Sequence, residues 1–307
     1  MPSNPLVSII IPTYNQPQML VEAVRSALAQ TYTNREIIVV DDGSTDDTAA
    51  KVAPFIEKGE IRYIYQQNKR QAAARNAGIR AAAGSILAFL DHDDLWSPFK
   101  LERQVPLFEN DRVGLVYSRA VEISTKGDVL YEKGEESMCR GMIFERLLFN
   151  HFITNSSVIV RRSCLSKTGL FREDLFGVDD IHLWLRLCYH YEVDFVPEIL
   201  VSCRSHESNM KRDPNIIPEK RFLALIDIFR QFELDRTMPV RWRSLNADHQ
   251  FFLGYREREK DKIKALACFL RAMKYELHWM HVIAILKLFL PGYSRLARKL
   301  NGKTRSI

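Results

Sequence analysis

The chain has 307 residues, of which 46% are hydrophobic and 27% charged, a composition that is ordinary for a soluble globular protein. Its net charge of +6 is unevenly spread, because residues from 201 onward contain 22 Lys and Arg against 11 Asp and Glu, while the preceding part is net acidic. Five cysteines without CxxC spacing argue against a zinc site and a secreted disulfide scaffold, and no apolar run approaches the ~20 residues that span a bilayer.

Strand-like and helix-like segments alternate through the first hundred residues. Short runs rich in β-branched residues predict strands at 7–12, 35–42, 61–66 and 85–90. Apolar residues at helical spacing predict helices at 17–30, 43–59 and 70–84, the second of them capped by Ser44 or Thr45. This alternation predicts an α/β chain with a parallel, doubly wound sheet.

The pattern is looser from residue 98 to residue 200. It predicts a helix at 98–110, strands at 113–123, 128–134 and 156–162, and a helix at 177–191. That last helix begins with Asp179 and Asp180, and the helix dipole alone could account for two carboxylates at this position.

Only helices are predicted after about residue 215. They cover 219–232, then 239–277 as a hairpin that turns near 256–262, and finally 279–300. The sequence therefore predicts a basic, helical C-terminal region that follows the α/β part.

Polar clusters follow three of the predicted strands. Thr13, Tyr14 and Asn15 follow the first strand, Asp41 and Asp42 the second, and Asp91 to Asp94 the fourth. Ligands of doubly wound sheets bind beyond the carboxyl ends of the strands. The three clusters are therefore expected at one edge of the sheet, around one site.

Three explanations compete for the aspartates at 91–94. An EF-hand loop fails, because Leu95 stands where a ligand is needed and Trp96 where glycine is needed. A phosphatase-type aspartyl nucleophile is a minor alternative. A divalent cation, with its coordination completed by substrate phosphates, supplies the countercharge that the cluster lacks.

Five segments then define a resemblance to a known family. VSIIIPTYN, EIIVVDDGSTDDT, QAAARNAGI, FLDHDDLW and VDDIHLWLRL occur in an order and spacing similar to those of the inverting nucleotide-sugar glycosyltransferases of family 2, over residues 7 to about 206. The resemblance implies a GT-A fold, Rossmann-like, with a mainly parallel central sheet flanked by helices and a C-terminal helical extension. It implies a catalytic domain at 1–210, with a nucleotide-sugar half at 1–97 and an acceptor half at 98–210, followed by a basic helical region at 211–307.

The family's site residues can be transferred to matching positions of this chain. The resemblance implies contacts to the nucleotide sugar from Thr13, Tyr14, Asn15, Asp41, Asp42, Arg75, Asp91 and Asp93. It implies Mn²⁺ or Mg²⁺ as cofactor at the DXD motif, with Asp93 as direct ligand, Asp91 as a ribose or water-mediated partner, and His206 as a third ligand. Gly78 would allow close helix packing.

Asp180 aligns with the family's catalytic base. The chain departs from the family pattern in having Asp179 where Glu is usual and Leu170 where a second glycine is usual. A metal that offsets the leaving group's charge and a carboxylate that activates the acceptor hydroxyl are what sugar transfer requires.

The implied function is metal-dependent, inverting transfer of a hexosyl or hexosaminyl group in surface polysaccharide or glycolipid synthesis. A UDP-sugar is favoured as donor, and a saccharide or lipid-linked hydroxyl is the expected acceptor. The alternatives are a nucleotide-sugar-binding protein without turnover and a nucleotidyltransferase on a related fold.

The expected location is the cytoplasm, because the N-terminus has no basic, apolar leader. The tail at 277–307 contains six basic residues and no acidic one, which suits peripheral contact with the cytoplasmic face of a membrane or a helical cap with solvated charges. No nucleic-acid-binding motif accompanies this charge, so nucleic acid is not an expected partner.

Overall fold

The computed structural model describes residues 4–133, 138–206, 216–258, 260–277 and 279–289, and the chain forms two compact units, Met1–Asp213 and Pro214–Ile307. The first unit contains, in chain order, β1 (Val7–Thr13), α1 (Pro17–Leu28), β2 (Arg35–Asp41), α2 (Thr48–Glu57), β3 (Arg62–Tyr65), α3 (Arg70–Ala81), β4 (Ile86–Phe89), β5 (Leu95–Trp96), α4 (Lys100–Gln104), β6 (Val113–Ile123), β7 (Val129–Lys133), α5 (Phe144–Phe149), β8 (Ile159–Arg161), α6 (Leu165–Thr168), α7 (Asp179–His190) and β9 (Glu192–Arg204).

One sheet organises the described part of this unit. Its strand order is β3-β2-β1-β4-β8-β6-β9-β5, and β7, which is not on this path, pairs with residues 120–123 of β6. The first four strands in this order are mutually parallel, β8 runs antiparallel to both of its neighbours, and β6 and β9 are again parallel. The predicted α/β class with a mainly parallel sheet is confirmed.

The sheet is buried on both faces at its centre. Ile9, Ile10 and Ile11 of β1 have no exposed surface, so successive side chains along this strand contact helices on opposite sides. On one side α3 lies very close, because a Cβ at Gly78 would be 2.4 Å from Cγ2 of Ile10. Glycine at position 78 therefore permits the helix-to-sheet distance that holds α3 near the carboxyl ends of the strands.

The start of α2 differs from the prediction. The helix begins at Thr48, and Asp46 Oδ1 accepts a hydrogen bond from the Thr48 amide at 3.0 Å. Ser44 and Thr45, the predicted caps, instead join the loop after β2 to the loop after β1: the Asn15 amide donates to Ser44 Oγ at 3.0 Å, and the Thr45 amide donates to Asn15 Oδ1 at 2.8 Å. The capping prediction was wrong because these side chains have a tertiary partner.

The region from 98 to 204 shows the largest differences from the predicted elements. The helix expected at 98–110 is α4 followed by a 3₁₀ turn at Val105–Glu109. Three helices and strands of this region were not predicted, namely α5, α6 and the 13-residue strand β9, and neither was β5, which lies just before the region. β9 pairs with β6 on one side and β5 on the other, so it completes the sheet with partners distant in sequence.

The second unit is helical in its described residues: α8 (Ile216–Gln231), α9 (Leu234–Thr237), α10 (Pro239–Glu257), α11 (Lys262–Tyr275) and α12 (Trp279–Phe289). The predicted hairpin is confirmed, and α11 starts where Asp261 Oδ1 accepts hydrogen bonds from the amides of Ile263 and Lys264 at 3.1 and 3.0 Å. The predicted continuation of the last helix beyond Phe289 lies outside the described residues. No described helix combines the length and the apolar character that crossing a membrane requires.

Candidate active site

The three polar clusters meet at one edge of the sheet. Thr13 at the end of β1 is in register with Asp41 at the end of parallel β2, and the Leu90 amide after β4 donates to the Ile10 carbonyl at 3.1 Å. The Thr13 side chain is buried, and its Oγ1 has no hydrogen-bond partner in the described part of the chain. Tyr14 is 45% exposed. This edge therefore presents one buried hydroxyl and one accessible ring.

The two aspartates after β2 are engaged differently. Asp41 uses both carboxylate oxygens internally: the Ser44 amide donates to Oδ1 at 2.7 Å, and the Tyr63 hydroxyl donates to Oδ2. Burial and this contact with Asp41 raise the pKa of Tyr63, which keeps the phenol a donor. Asp42 receives the Gln66 side-chain amide at 2.7 Å and the Lys69 backbone amide at 2.9 Å, both on Oδ1.

For Oδ2 of Asp42, no hydrogen bond forms within the described residues, although Asp42 is only 3% exposed. This oxygen has capacity for one more donor, whereas each oxygen of Asp41 already has one. Of the two candidates for contact with a nucleobase, Asp42 is the better placed.

Asp91 and Asp94 are anchored to the same short segment, a 3₁₀ turn at Asn155–Ser157. Oδ1 of Asp91 accepts from Asn155 Nδ2 at 2.9 Å, and the Asp91 amide donates to Ser156 Oγ at 3.1 Å. The Ser156 hydroxyl in turn donates to Asp94. Burial, together with the charges of Asp93 and Asp91, raises the pKa of Asp94 to about 8.

Asp93 and His206 lie side by side. Asp93 Oδ2 and His206 Nε2 are 2.9 Å apart. Burial opposes ionisation of Asp93, but the hydrogen bond to His206 and the proximity of His92 outweigh it and lower the Asp93 pKa. The His92 ring nitrogen Nδ1 is 3.1 Å from the Pro12 carbonyl oxygen. Of the three predicted metal-site residues, the structure thus brings Asp93 and His206 into direct contact.

The donor set fits a divalent cation that shares its coordination with a substrate. One carboxylate and one imidazole nitrogen suit Mn²⁺, and Mg²⁺ also binds through one or two carboxylates with phosphate oxygens completing the shell. Across the described ranges, no three His, Cys, Asp or Glu residues are arranged to hold a metal by themselves. A cation here would need ligands from a bound molecule.

Arg75 connects the aspartate cluster to the start of α7. Its Nη2 is 2.7 Å from Asp91 Oδ1 and its Nη1 is 2.7 Å from Asp179 Oδ2. The guanidinium is 2% exposed and Asp179 is completely buried, with Gln71 Nε2 donating to the other Asp179 oxygen at 3.2 Å. The Arg75–Asp179 ion pair is therefore shielded from water.

Burial and the partner's charge shift the pKa of each residue in the Arg75–Asp179 pair in opposite directions. Desolvation raises the pKa of Asp179 to about 6 although Arg75 acts in the opposite direction. Desolvation also lowers the pKa of Arg75, but the nearby charges of Asp91 and Asp179 outweigh it and leave a net increase. Asp179 has a specific partner 104 residues earlier in the chain, so the helix dipole is not the whole reason for its position.

Asp180 is the next residue along α7 and is half-buried. Its Oδ1 accepts a hydrogen bond from the Ile181 amide at 2.8 Å. The turn that leads to α7 is joined to α3: the Asn76 side chain donates to the Phe171 carbonyl at 2.9 Å, and the Phe171 amide donates to Asn76 Oδ1 at 3.0 Å. Residues of α3 thus hold both the turn and the carboxylate beside Asp180.

Several site residues were not predicted. They are Tyr63, Gln71, Asn155 and Ser156. Their partners lie between 22 and 108 residues away in the sequence. Gln71 lies in the segment QAAARNAGI, but no local periodicity or motif marks the other three, because their roles depend on contacts that form only when the sheet assembles.

Comparisons with known proteins show which family this chain resembles in sequence. Residues 8–169 match the family model described as glycosyl transferase family 2. An uncharacterised glycosyltransferase of Rickettsia conorii is 32% identical over 223 residues, which are 72% of this chain and 36% of that protein. The Escherichia coli UDP-Glc:alpha-D-GlcNAc-diphosphoundecaprenol beta-1,3-glucosyltransferase WfgD is 32% identical over 182 residues, 59% of this chain and 69% of WfgD.

A solved structure gives the same fold. Residues 1–349 of Staphylococcus aureus TarS, crystallised with UDP-GlcNAc, superpose with a TM-score of 0.64 at 17% identity, over 94% of this chain and 91% of that one. The expected GT-A fold is confirmed. Because the match spans only about a third of the Rickettsia relative, the activity and substrates of the whole protein are matters for proposal.

Proposed function

The chain belongs to glycosyltransferase family 2, and on that basis we propose that it transfers a sugar from a nucleotide-diphosphate sugar to an acceptor hydroxyl, with inversion at the anomeric carbon. The observation that carries the proposal is the buried Arg75. Its guanidinium forms one 2.7 Å ion pair with Asp91, in the DXD motif, and another with Asp179, the residue before Asp180. Sugar transfer needs a donor site and a base in fixed relation, and this bridge supplies a rigid connection.

The donor occupies the sheet edge in this proposal. The Oδ2 of Asp42 accepts an N–H from the nucleobase, and Tyr14 lies against the nucleotide, with Thr13 and Asn15 forming the adjoining loop. Arg75, Asp91 and Asp93 contribute to the sugar-diphosphate end, and Asp41 shapes the pocket through Tyr63. The imide of uracil suits an aspartate acceptor, and the E. coli relative is named for UDP-Glc, so a UDP-sugar is the favoured donor.

We propose Mn²⁺ or Mg²⁺ as cofactor, bound by Asp93 and His206 with Asp91 alongside. When bound, the cation offsets the negative charge that develops on the leaving diphosphate. Asp93 is well suited to this role because its lowered pKa keeps the carboxylate ionised at neutral pH.

Asp180 acts as the base. Its carboxylate takes the proton from the acceptor hydroxyl as the acceptor oxygen bonds to the anomeric carbon and the bond to the diphosphate oxygen breaks. The nucleoside diphosphate leaves with the electron pair of that bond, and no covalent sugar-enzyme intermediate forms. Asp179 positions the first turn of α7 through Arg75 and Gln71.

The acceptor is a saccharide or lipid-linked hydroxyl, and the E. coli relative is named for a diphosphoundecaprenol-linked acceptor. The cytoplasmic face of a membrane is the corresponding location. Within the described residues, α11 supports this, because it has four basic residues and no acidic one, and it exposes 81% of Ile263 and 52% of Leu270. The region 277–307, predicted to contact the membrane, lies outside the described residues from 290 onward.

The central test is a calorimetric titration with a panel of nucleoside diphosphates and nucleotide sugars, with Mn²⁺ and then with a chelator. Binding of one nucleotide that requires both the metal and Asp93 supports the donor site, and Asp93→Ala should abolish it. Arg80→Ala, which removes a charge from the exposed end of α3, serves as the control and should bind normally. Metal-independent binding that Asp93→Ala leaves unchanged contradicts the proposed donor site.

Turnover separates the alternatives. Formation of a glycosylated acceptor and free nucleoside diphosphate by the wild type supports the transferase, and loss of product with retained nucleotide binding in Asp180→Asn supports Asp180 as base. Binding without product from any donor favours a nucleotide-sugar-binding protein, and release of pyrophosphate from a nucleoside triphosphate favours a nucleotidyltransferase.

A further inference from the structure

Arg70, the first residue of α3, stands out at the rim of the candidate site. Its backbone has φ of +71°, in the left-handed region that residues other than glycine and asparagine rarely adopt. Its side chain is exposed, and the guanidinium carbon lies 4.7 Å from the centre of the Phe176 ring. No carboxylate forms an ion pair with Arg70 within the described ranges of the chain.

The contact with Phe176 places Arg70 against the segment that leads into α7, which carries the proposed base. Phe176 precedes Asp179 by three residues in the segment that leads into α7. The next residue of α3, Gln71, donates to Asp179, and Arg75 one turn later pairs with it. The start of α3 therefore contacts the start of α7 and the segment before it. Of the three α3 residues in these contacts, Arg70 is the most exposed.

Arg70 and Arg75 differ in what they leave available. Arg75 is buried, and both of its terminal nitrogens, Nη1 and Nη2, already contact carboxylates. Arg70 instead stacks on Phe176, and because its side chain is exposed and has no ion-pair partner among the described residues, its N–H groups are accessible to an incoming group. A fork of N–H donors on a planar cation is the side chain best matched to phosphate oxygens.

We propose that Arg70 binds the diphosphate of a lipid-linked acceptor. This inference rests on the proposed function, in which the acceptor sugar lies against Asp180. The acceptor's diphosphate then lies just beyond that sugar, at the rim rather than at the buried end occupied by the donor. An anion entering beside Asp179 and Asp180 needs a compensating cation, and Arg70 is an exposed cation that stacks on Phe176 and is followed in α3 by Gln71, which contacts Asp179.

The test uses geranyl diphosphate, a soluble prenyl diphosphate without a sugar, titrated calorimetrically into the full chain in the presence of saturating UDP and Mn²⁺. Arg70→Gly should weaken its binding by about tenfold or more, the loss expected for a charge-assisted phosphate contact, and Arg70→Lys should lie between. UDP affinity should stay unchanged in both variants. Arg80→Ala, which removes the same charge from the other end of α3, should bind geranyl diphosphate like the wild type.

Arg70→Gly also separates binding from folding. Glycine tolerates φ of +71°, so the melting temperature of this variant should equal or exceed that of the wild type, and weaker binding cannot then be ascribed to misfolding. The inference is overturned if the wild type does not bind geranyl diphosphate, if Arg80→Ala loses as much affinity as Arg70→Gly, or if Arg70→Gly weakens UDP instead, which assigns Arg70 to the donor. A chain that binds geranyl diphosphate through Arg70 but binds no nucleotide refutes the proposed function and leaves the anion site standing.

Discussion

Arg75→Met is the substitution whose effect follows most directly from the structure. Methionine replaces the guanidinium by an apolar chain of similar length, so the main loss is the pair of 2.7 Å contacts to Asp91 and Asp179. The two carboxylates are not equivalent. The Asp91 side chain is 28% exposed and can be hydrated, whereas Asp179 is completely buried and cannot.

The expected loss of stability therefore arises mainly at Asp179. Removing one partner of a buried ion pair typically costs about 3–5 kcal/mol, because the other charge is left without compensation. Protonation is the escape route, and burial already raises the Asp179 pKa to about 6 with Arg75 present. Without Arg75, the pKa of Asp179 in the folded protein rises further above its value in the unfolded chain. Protonated Asp179 then stabilises the folded state at low pH, and this contribution is lost as the pH rises. The deficit should shrink toward about pH 5.

Urea unfolding followed by tryptophan fluorescence measures the effect, because Trp184 lies fully buried in α7 beside the perturbed site. Arg75→Met/Asp179→Asn should recover at least half of the loss, since it removes the stranded charge, and Arg75→Met/Asp91→Asn should recover less. Arg80→Met, at the exposed end of the same helix, should change the free energy of unfolding by less than about 0.5 kcal/mol. A loss below about 1 kcal/mol in Arg75→Met, or equal recovery by both double variants, refutes the reasoning.

Three further predictions concern catalysis, titration and packing. Asp180→Asn should lower kcat by about 10²–10⁴-fold with unchanged affinity for the nucleotide, measured by product formation and calorimetry; a variant of near-normal kcat contradicts its role as base. Lys100 is fully buried, its Nζ donates to Gln104 Oε1 at 2.7 Å, and burial holds its pKa well below the usual value. The wild type should therefore gain stability relative to Lys100→Met as the pH rises from 7 to 10. If thermal unfolding at pH 7 and pH 10 shows no change in this difference, Lys100 ionises normally. Gly78→Ala should destabilise by about 1–3 kcal/mol in urea unfolding, because the new Cβ would lie 2.4 Å from Ile10 Cγ2, and an unchanged midpoint would mean that α3 can shift freely from the sheet.

The regular half of the fold was predictable from local patterns. β1, β2 and β4 are short β-branched or apolar runs, and the helices between them have their apolar residues at helical spacing, so each element is specified by its own residues. β9 was missed because its residues do not alternate cleanly, and its strand conformation depends on β6 and β5 as hydrogen-bonding neighbours. Ser44 and Thr45 were wrongly taken as helix caps, because a side chain that can cap a helix can equally bond to a neighbouring loop, as both hydroxyls do with Asn15.

The sequence by itself determined the α/β class and the positions of the first strands along the chain. It also determined that Thr13, Asp42 and Asp91 lie at one edge, because parallel strands joined by helices leave their carboxyl ends on the same side. Only the tertiary structure decided how those residues are connected. It paired Asp93 with His206 and joined Asp91 to Asp179 through Arg75. These contacts link residues up to 113 positions apart, and their geometry depends on how closely helices pack on the sheet, which periodicity along the chain does not encode.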